Sequence, residues 1–161
     1  MKTLKTKLDK IDFQILSNLQ TNGRISNVEL ANLVDISPPP CLRRVKALED
    51  NGYIKGYNAD VNSELIGFKV TVFAFVGLES QAESDLQIFE NYISLFPEVR
   101  ECHMLVGEID FLLKIVAKDW DDFQKFLTTK LTQAPRVSHV KTSLNIRSNK
   151  RLPGVPIEVI I

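Results

Sequence analysis

Residues 26–52 read SNVELANLVDISPPPCLRRVKALEDNG, and this pattern predicts two short helices joined by a tight turn. Ser26 and Glu29 have the spacing of a capping box at the start of the first of these helices. Ser37 is the expected N-cap of the second, and Pro38 suits the first helical position, where the amide has no intrahelical partner. The stretch therefore predicts a helical hairpin with defined ends.

Around this hairpin the sequence predicts a three-helix unit with one basic face. An apolar stripe at helical spacing runs from Leu8 to Gln20 and predicts a supporting helix. On a helical wheel of the last helix, Cys41 and Leu42 lie on the apolar side. The outward side is expected to carry Pro40, Arg43 and Ala47, flanked by Pro39, Arg44 and Lys46. This geometry is typical of a helix that reads the major groove of DNA. The alternative is a plain hairpin whose arginines are only solvated.

The second half alternates apolar and polar residues, with helical stretches between. The pattern predicts strands at 69–78, 99–106, 109–117 and 137–147, and helices at 84–96 and 119–134. The order β-α-β-β-α-β is that of a ferredoxin-like unit, so the fold class is α+β. Because the first strand is apolar on both faces, the uncovered side of the sheet predicts a symmetric homodimer packed sheet against sheet.

Composition and motifs limit the classes of function. Net charge is zero, but residues 1–62 hold nine Lys/Arg against seven Asp/Glu. The sequence has no apolar run of the ~18 residues that a membrane span needs and no pattern of a secretion signal. Two distant cysteines fit a reducing cytoplasm. Cys102 and His103 are neighbours on a strand and point to opposite faces, so they predict no catalytic dyad. We expect no enzyme activity, no metal site and no cofactor.

Several separated motifs resemble the Lrp/AsnC (leucine-responsive, feast/famine) family of transcriptional regulators. They are Leu8-Asp9-x-Ile11-Asp12, Gly23-Arg24-Ile25-Ser26, Glu29-Leu30-Ala31, Ser37-Pro38, Arg43-Arg44-Val45, Leu48-Glu49 and Gly52-x-Ile54-x-Gly56-Tyr57. ECHMLVGEIDFLLKIVAKD, residues 101–119, resembles the strand–turn–strand of the family's ligand-sensing (RAM) domain. Two positions depart from the family pattern. Asp35 stands where a glycine is usual, and Pro39 replaces a Ser or Thr.

The resemblance implies a winged or simple helix–turn–helix domain at 1–52, a β-hinge and linker at 53–67, a ferredoxin-like (RAM/ACT-like) domain at 68–150 and a tail at 151–161. It implies a sequence-specific regulator that binds double-stranded DNA, with an amino acid such as leucine or methionine altering its assembly or DNA affinity. It also implies homodimers that assemble into an octamer or a similar ring. The expected location is cytoplasmic and nucleoid-associated, without membrane contact. The tail is expected to pack on a neighbouring subunit.

Two sets of site residues follow. The expected DNA contacts are Ser37, Pro39, Pro40, Arg43, Arg44, Lys46 and Arg24. Arg43 is the best placed for a base edge or a phosphate, Arg44 and Lys46 are expected to hold phosphates, and Arg24 is equally suited to an ion pair within the domain. The effector contacts implied by the resemblance are Met104, Gly107, Glu108, Asp110 and Thr132, with the Asp110 carboxylate pairing with or orienting the ligand's ammonium group. Two other functions stay open: an architectural DNA-binding protein indifferent to small molecules, and an ACT-like regulatory subunit of a metabolic enzyme. Effector-independent footprints would indicate the first, and co-purification with an enzyme the second.

Overall fold

A computed structural model describes residues 7–157 of the 161-residue chain and divides it into two compact units. The first unit comprises the residues up to Asp60 together with those from Lys150 onward, and the second comprises Val61–Asn149. None of the helices within the described residues is long and apolar enough to cross a membrane.

The first unit holds the three expected helices. They are α1 (Lys10–Thr21), α2 (Asn27–Leu33) and α3 (Pro38–Asp50). The predicted capping box is confirmed: the Ser26 hydroxyl accepts from the Glu29 N–H at 3.2 Å, and the Glu29 carboxylate accepts from the Ser26 N–H at 3.0 Å. Six side chains from the three helices form the core: Ile15, Leu30, Ala31, Val34, Cys41 and Leu48. The inward position predicted for Cys41 is therefore correct.

Two residues with positive φ end α2 and α3. Asp35 has φ 54° and Gly52 has φ 75°. After Asp35, the Ile36 N–H donates to the Ala31 carbonyl at 3.0 Å, and after Gly52 the Tyr53 N–H donates to the Leu48 carbonyl at 2.9 Å. Both ends are Schellman motifs, in which a left-handed residue turns the chain back onto the last free carbonyls. The aspartate thus adopts the conformation that glycine would hold more cheaply.

The strand expected in the hinge is absent: residues 53–62 form no β-strand, and 63–67 form a turn. The amides of Tyr53 and Ile54 both donate to the Leu48 carbonyl, at 2.9 and 3.2 Å, so they complete the end of α3 instead of joining a ladder. Tyr57 packs against Gly23, and its hydroxyl donates to the Glu49 carboxylate at 2.9 Å. The segment is thus held by α3 and by the turn after α1, and a β pattern without a pairing partner does not produce a strand.

The described part of the C-terminal tail belongs to the first unit of the same chain. The Gln20 amide group makes two bonds to the backbone of Val155, donating to its carbonyl at 2.7 Å and accepting from its N–H at 2.9 Å. Gly154, with φ 64°, lies so close to Gln20 that any side chain there would overlap it. Arg151 also reaches Asp60 at 3.0 Å. The tail is thereby fastened to the last turn of α1 and to residue 60.

The second unit confirms the ferredoxin-like topology. Its elements in chain order are β1 (Val70–Leu78), α4 (Glu83–Ile93), β2 (Val99–Met104), β3 (Phe111–Ala117), α5 (Trp120–Thr129), a short 3-10 helix (Leu131–Gln133) and β4 (Val137–Leu144). The strands lie in the order β2-β3-β1-β4, and each pair is antiparallel. The helix predicted over 119–134 ends early, since the Thr128 and Thr129 hydroxyls bond back to the carbonyls of the preceding turn.

The sheet has one face covered by helices and one face open. On β3, Phe111, Leu113 and Ile115 are fully buried on the covered face. The alternate residues of β1 and β3 on the open face are half-buried and largely apolar: Phe73, Phe75, Leu112 and Val116. We call this four-residue cluster the open-face patch. It is the uncovered apolar surface that the sequence predicted.

Candidate nucleic-acid interface and effector turn

The outward face of α3 is basic and free of acidic partners. Arg43 and Lys46 are exposed, and within residues 7–157 no carboxylate lies within ion-pair distance of either. Pro39 is exposed one turn earlier on the same side. Both cations therefore keep their charge available to an outside anion such as a phosphate.

Ser37 begins α3 but does not cap it with its hydroxyl. Its backbone has the extended conformation of an N-cap, with φ −75° and ψ 154°, yet its side chain makes no capping hydrogen bond. An N-cap hydroxyl bonds the amides of the second or third helical residue, and here those residues are Pro39 and Pro40, which have no N–H. The expected capping bond was thus ruled out by the prolines. The hydroxyl at the tip of the helix is left for another partner.

The exposed face of α3 is displaced around the helix axis from the face that the sequence predicted. Leu42, expected in the core, is 45% exposed, whereas Pro40, expected outward, is half-buried. The exposed side consequently follows Pro39, Leu42, Arg43 and Lys46, with the spacing i, i+3, i+4, i+7 of one helical face. Leu42 is a surface residue that the sequence-based prediction missed, because the helical wheel grouped it with Cys41 on the apolar side. The spacing from Pro39 and Lys46 would have found it.

Arg44 lies beside Arg43 in sequence but is bound to α1. Its Nη1 donates to Asp12 at 2.7 Å and to Asp9 at 2.8 Å. The hydrogen bond that the Arg44 guanidinium donates to the Asp12 carboxylate is the main reason that the pKa of Arg44 is raised. The phosphate contact expected of Arg44 stays a prediction, and the structure gives its guanidinium two carboxylates instead.

Arg24 lies in the exposed turn before α2. Its backbone N–H donates to the Asn22 side chain at 3.1 Å, which fixes the turn. Among the described residues its guanidinium makes no ion pair, so the intradomain alternative to a phosphate contact is not realised there. Its charge is therefore available to an outside anion, as are those of Arg43 and Lys46.

The turn expected from the resemblance to bind an effector, called the effector turn for that expectation, joins β2 to β3. It spans residues 104–110 and is closed by the Leu105 N–H, which donates to the Asp110 carbonyl at 2.8 Å. Met104, Val106 and Glu108 are exposed on it. Gly107 has φ 148°, in the region that favours glycine, and its backbone is uncovered. The turn therefore presents apolar side chains beside accessible backbone polar groups.

Asp110 anchors this turn to β1. It is only 6% exposed, and its carboxylate accepts from the Leu78 N–H at 2.7 Å and from the Gln81 side-chain amide at 2.8 Å. Its own N–H donates to the Val76 carbonyl at 3.0 Å. Each oxygen is already bonded within the chain, so the geometry suits Asp110 to orient the turn. A direct contact with a ligand's ammonium stays a prediction.

Thr132 lies at the same end of the sheet as the effector turn but on the opposite edge. Its hydroxyl donates to the Thr128 carbonyl at 3.3 Å. The 3-10 helix leads into β4, which begins beside Leu78 at Val137, whereas Met104 ends β2 beside Phe111. β2 and β4 are the outer strands of four, about 14 Å apart at the usual strand spacing. Met104 and Thr132 of one chain are thus too far apart to line one small ligand together.

The remaining candidates for a site are the exposed thiol of Cys102 and the metal-ligating side chains. A groove of about 300 Å³ between α4 and β2 contains Cys102 and Glu90. Crowding by surrounding atoms, with the Glu90 charge, raises the pKa of the Cys102 thiol to about 11. A thiol that stays protonated at neutral pH is a poor nucleophile. Within residues 7–157, no group of three His, Cys, Asp or Glu side chains is placed to hold a metal ion.

Two protein families match this chain. A winged helix-turn-helix DNA-binding family matches residues 8–55, and the Lrp/AsnC ligand binding domain family matches residues 71–155. The leucine-responsive regulatory protein of Rhizobium meliloti is 46% identical, over 91% of this chain and 94% of its own. The transcriptional regulator AzlB of Bacillus subtilis is 38% identical, over 94% and 96%. The chain belongs to the Lrp/AsnC family.

A solved structure of another transcriptional regulator has a similar fold, which agrees with membership of the Lrp/AsnC family. The fold is similar to that of a Neisseria meningitidis transcriptional regulator crystallised in complex with L-Met, with a TM-score of 0.90, 34% identity and coverage of 96% of this chain and 100% of the other. The first unit is therefore a DNA-binding helix–turn–helix, the second is a ligand-binding domain, and the protein is a transcriptional regulator.

Proposed function

We propose that this regulator reads DNA with the outward face of α3 in the major groove. Arg43 contacts a base edge, Lys46 and Arg24 hold phosphates, and the Ser37 hydroxyl with Pro39 and Pro40 approaches the sugar–phosphate backbone. The observation that carries the proposal is the pair of exposed cations, Arg43 and Lys46, without a carboxylate partner in the described chain. A regulator with this target would work in the cytoplasm, on the nucleoid, and would need no catalytic group.

Replacing Arg43 by Ala tests this reading. If Arg43 reads a base, the variant should lose about 1–3 kcal/mol of operator affinity and relax specificity at one position. Salt-matched gel shifts on operator and on scrambled DNA measure both quantities. The matched control is Arg147→Ala, which changes an exposed arginine of the second unit and leaves α3 intact. Unchanged affinity for Arg43→Ala would remove the residue from the interface.

The protein acts as a dimer in this proposal, with the open-face patch of one copy on that of another. Four half-buried apolar side chains on an uncovered sheet face support this arrangement, because such a surface is stabilised when a second sheet covers it. Two copies carry two α3 helices, so the operator should be pseudo-palindromic, with half-sites set by the dimer. Further assembly of dimers into an octamer or a similar ring follows the family expectation.

The effector turn is proposed to bind an amino acid, with methionine or leucine as the first candidates. The exposed Met104 and the accessible backbone at Gly107 support this, since a flexible apolar wall accepts an aliphatic side chain and backbone groups accept the charged ends. The similar Neisseria regulator was crystallised with L-Met. Met104 and Glu108 belong to the effector turn at one edge of the sheet, whereas Thr132 lies at the opposite edge. Thr132 would therefore join them in one binding site only if two copies of the chain meet there.

Titration calorimetry with each of the twenty amino acids tests the effector proposal. We expect binding heat with methionine or leucine and its loss in Gly107→Val, which blocks the turn and strains its backbone. The control is Gly56→Val, at another glycine with positive φ, in the hinge. Absence of heat with all twenty amino acids contradicts the proposal and favours a DNA-binding protein that ignores small molecules.

A further inference from the structure

The guanidinium of Arg44 closes a small charged network at the start of α1. Nη1 donates to Asp12 Oδ1 at 2.7 Å and to Asp9 Oδ2 at 2.8 Å, short distances typical of charge-assisted bonds. The side chain of Asp12 is mostly buried at 16% exposure. The network joins α3 to α1, which are otherwise packed through apolar side chains of the shared core.

The same two carboxylates also cap α1. Asp9 Oδ1 accepts from the Asp12 N–H at 2.9 Å, and Asp12 Oδ2 accepts from the Asp9 N–H at 3.1 Å. Each carboxylate thus uses one oxygen for the helix end and the other for Arg44. Neither acid can turn away without breaking the cap, so the position of Arg44 is fixed by a rigid partner.

Neighbouring residues of a helix point about 100° apart, so Arg43 and Arg44 of α3 face different surroundings. Arg43 is exposed and unpaired among the described residues, whereas Arg44 is half-buried and directed at α1. An ion pair on one side of a helix limits its rotation about its own axis. That rotation decides where the stripe of Leu42, Arg43 and Lys46 faces.

We propose that Arg44 is a positioning residue and not a DNA contact: by bridging to Asp9 and Asp12 it sets the rotation of α3 that presents Arg43 to the base edges. The inference rests on the proposed DNA reading by α3.

The sign of the effect of Asp12→Asn separates the two roles of Arg44. If Arg44 positions α3, Asp12→Asn and Arg44→Ala each reduce operator affinity by roughly tenfold. The double variant then loses no more affinity than the single variant with the larger loss. If Arg44 holds a phosphate, Asp12→Asn removes a competing negative charge and strengthens DNA binding, and the double variant loses what Arg44→Ala alone loses. These affinities are measured by fluorescence anisotropy at a temperature where circular dichroism shows every variant folded.

Salt dependence gives a second readout that a loss of stability would not move. Lys46→Ala is the matched control, because an exposed lysine that holds a phosphate should reduce the slope of log K against log salt by about 1. Arg44→Ala should keep the slope of the parent protein and reduce the ratio of operator to non-operator affinity. A slope reduced by about 1 in Arg44→Ala overturns the positioning role.

Failure of this inference is distinguishable from failure of the DNA reading itself. If Arg43→Ala and Lys46→Ala bind DNA as tightly as the parent protein, the reading by α3 is wrong, and the role given to Arg44 falls with it. If those two variants lose affinity while Asp12→Asn gains it, the reading stands and only the role of Arg44 is overturned.

Discussion

Single side chains on α3 differ in exposure and in partners in a way that residue type does not reveal. Arg43 and Arg44 are chemically identical neighbours, yet one is exposed and the other is bound to Asp9 and Asp12. Leu42 is apolar but lies on the exposed face with Arg43. In the proposed reading of DNA, this face would combine the cations Arg43 and Lys46 with the apolar side chain of Leu42, and an arginine beside an apolar group suits guanine next to the methyl group of thymine.

Leu42 is expected to contact the methyl group of a thymine. Leu42→Ala should then weaken operator binding by about 0.8 kcal/mol, the contribution of one buried methyl-sized group. The measurement is a double-mutant cycle in which each operator thymine is replaced in turn by deoxyuridine, which lacks that methyl. At one position the deoxyuridine operator should bind the parent protein and Leu42→Ala equally well. Additive losses at every position would show that Leu42 touches no thymine methyl.

At the scale of elements, the left-handed residue at the end of α2 is a point of stored strain. Asp35 holds φ 54°, where an L side chain costs energy that glycine does not. Asp35→Gly should therefore raise the free energy of unfolding by about 0.5–1 kcal/mol, even though glycine is more flexible in the unfolded chain. Urea denaturation measures the change. The control is Asp50→Gly, in the last turn of α3, which should be destabilising.

The effector turn depends on Asp110 more than on its exposed residues. Asp110→Ala leaves the buried Leu78 N–H without an acceptor and should cost about 2 kcal/mol of stability. Glu108→Ala, at an exposed position on the same turn, should change stability by less than about 0.5 kcal/mol. Thermal unfolding of both variants checks this. Equal effects of the two substitutions would mean that Asp110 is not the anchor of the turn.

The elements predictable from the sequence are those whose pattern and caps agree. Hydrophobic periodicity predicts α1 to α3, the order of helices and strands and the core position of Cys41. The capping box of Ser26 and Glu29 marks the start of α2, and Gly52 marks the end of α3. Three features depend on context that one sequence does not carry. Segment 53–60 has β-like residues but no pairing strand, and Arg44 binds carboxylates more than thirty residues away. Asp110 is buried because the Leu78 N–H of β1 and the Gln81 side chain donate to its carboxylate.

At the scale of the whole molecule, dimerisation through the open-face patch is the expected route to paired α3 helices. Phe75→Glu places a charge in the patch opposite Lys141, its cross-strand neighbour, so the monomer should tolerate it while a sheet-to-sheet dimer should not. Multi-angle light scattering should show a reduced assembly size. The control is Ile88→Ser, an exposed apolar residue on α4, across the sheet from the patch. An unchanged assembly size in Phe75→Glu contradicts packing through this face.

We propose that the face of α3 centred on Arg43 selects particular DNA sequences and that an amino acid bound by the second unit alters this selection. The most direct measurement is the selection and sequencing of genomic fragments bound by the parent protein and by Arg43→Ala, with and without an amino-acid mixture at fixed salt. We predict a limited set of fragments sharing a pseudo-palindromic element, altered by the mixture and lost in the variant. Fragments that match bulk genomic DNA under all conditions would show that α3 does not select particular sequences.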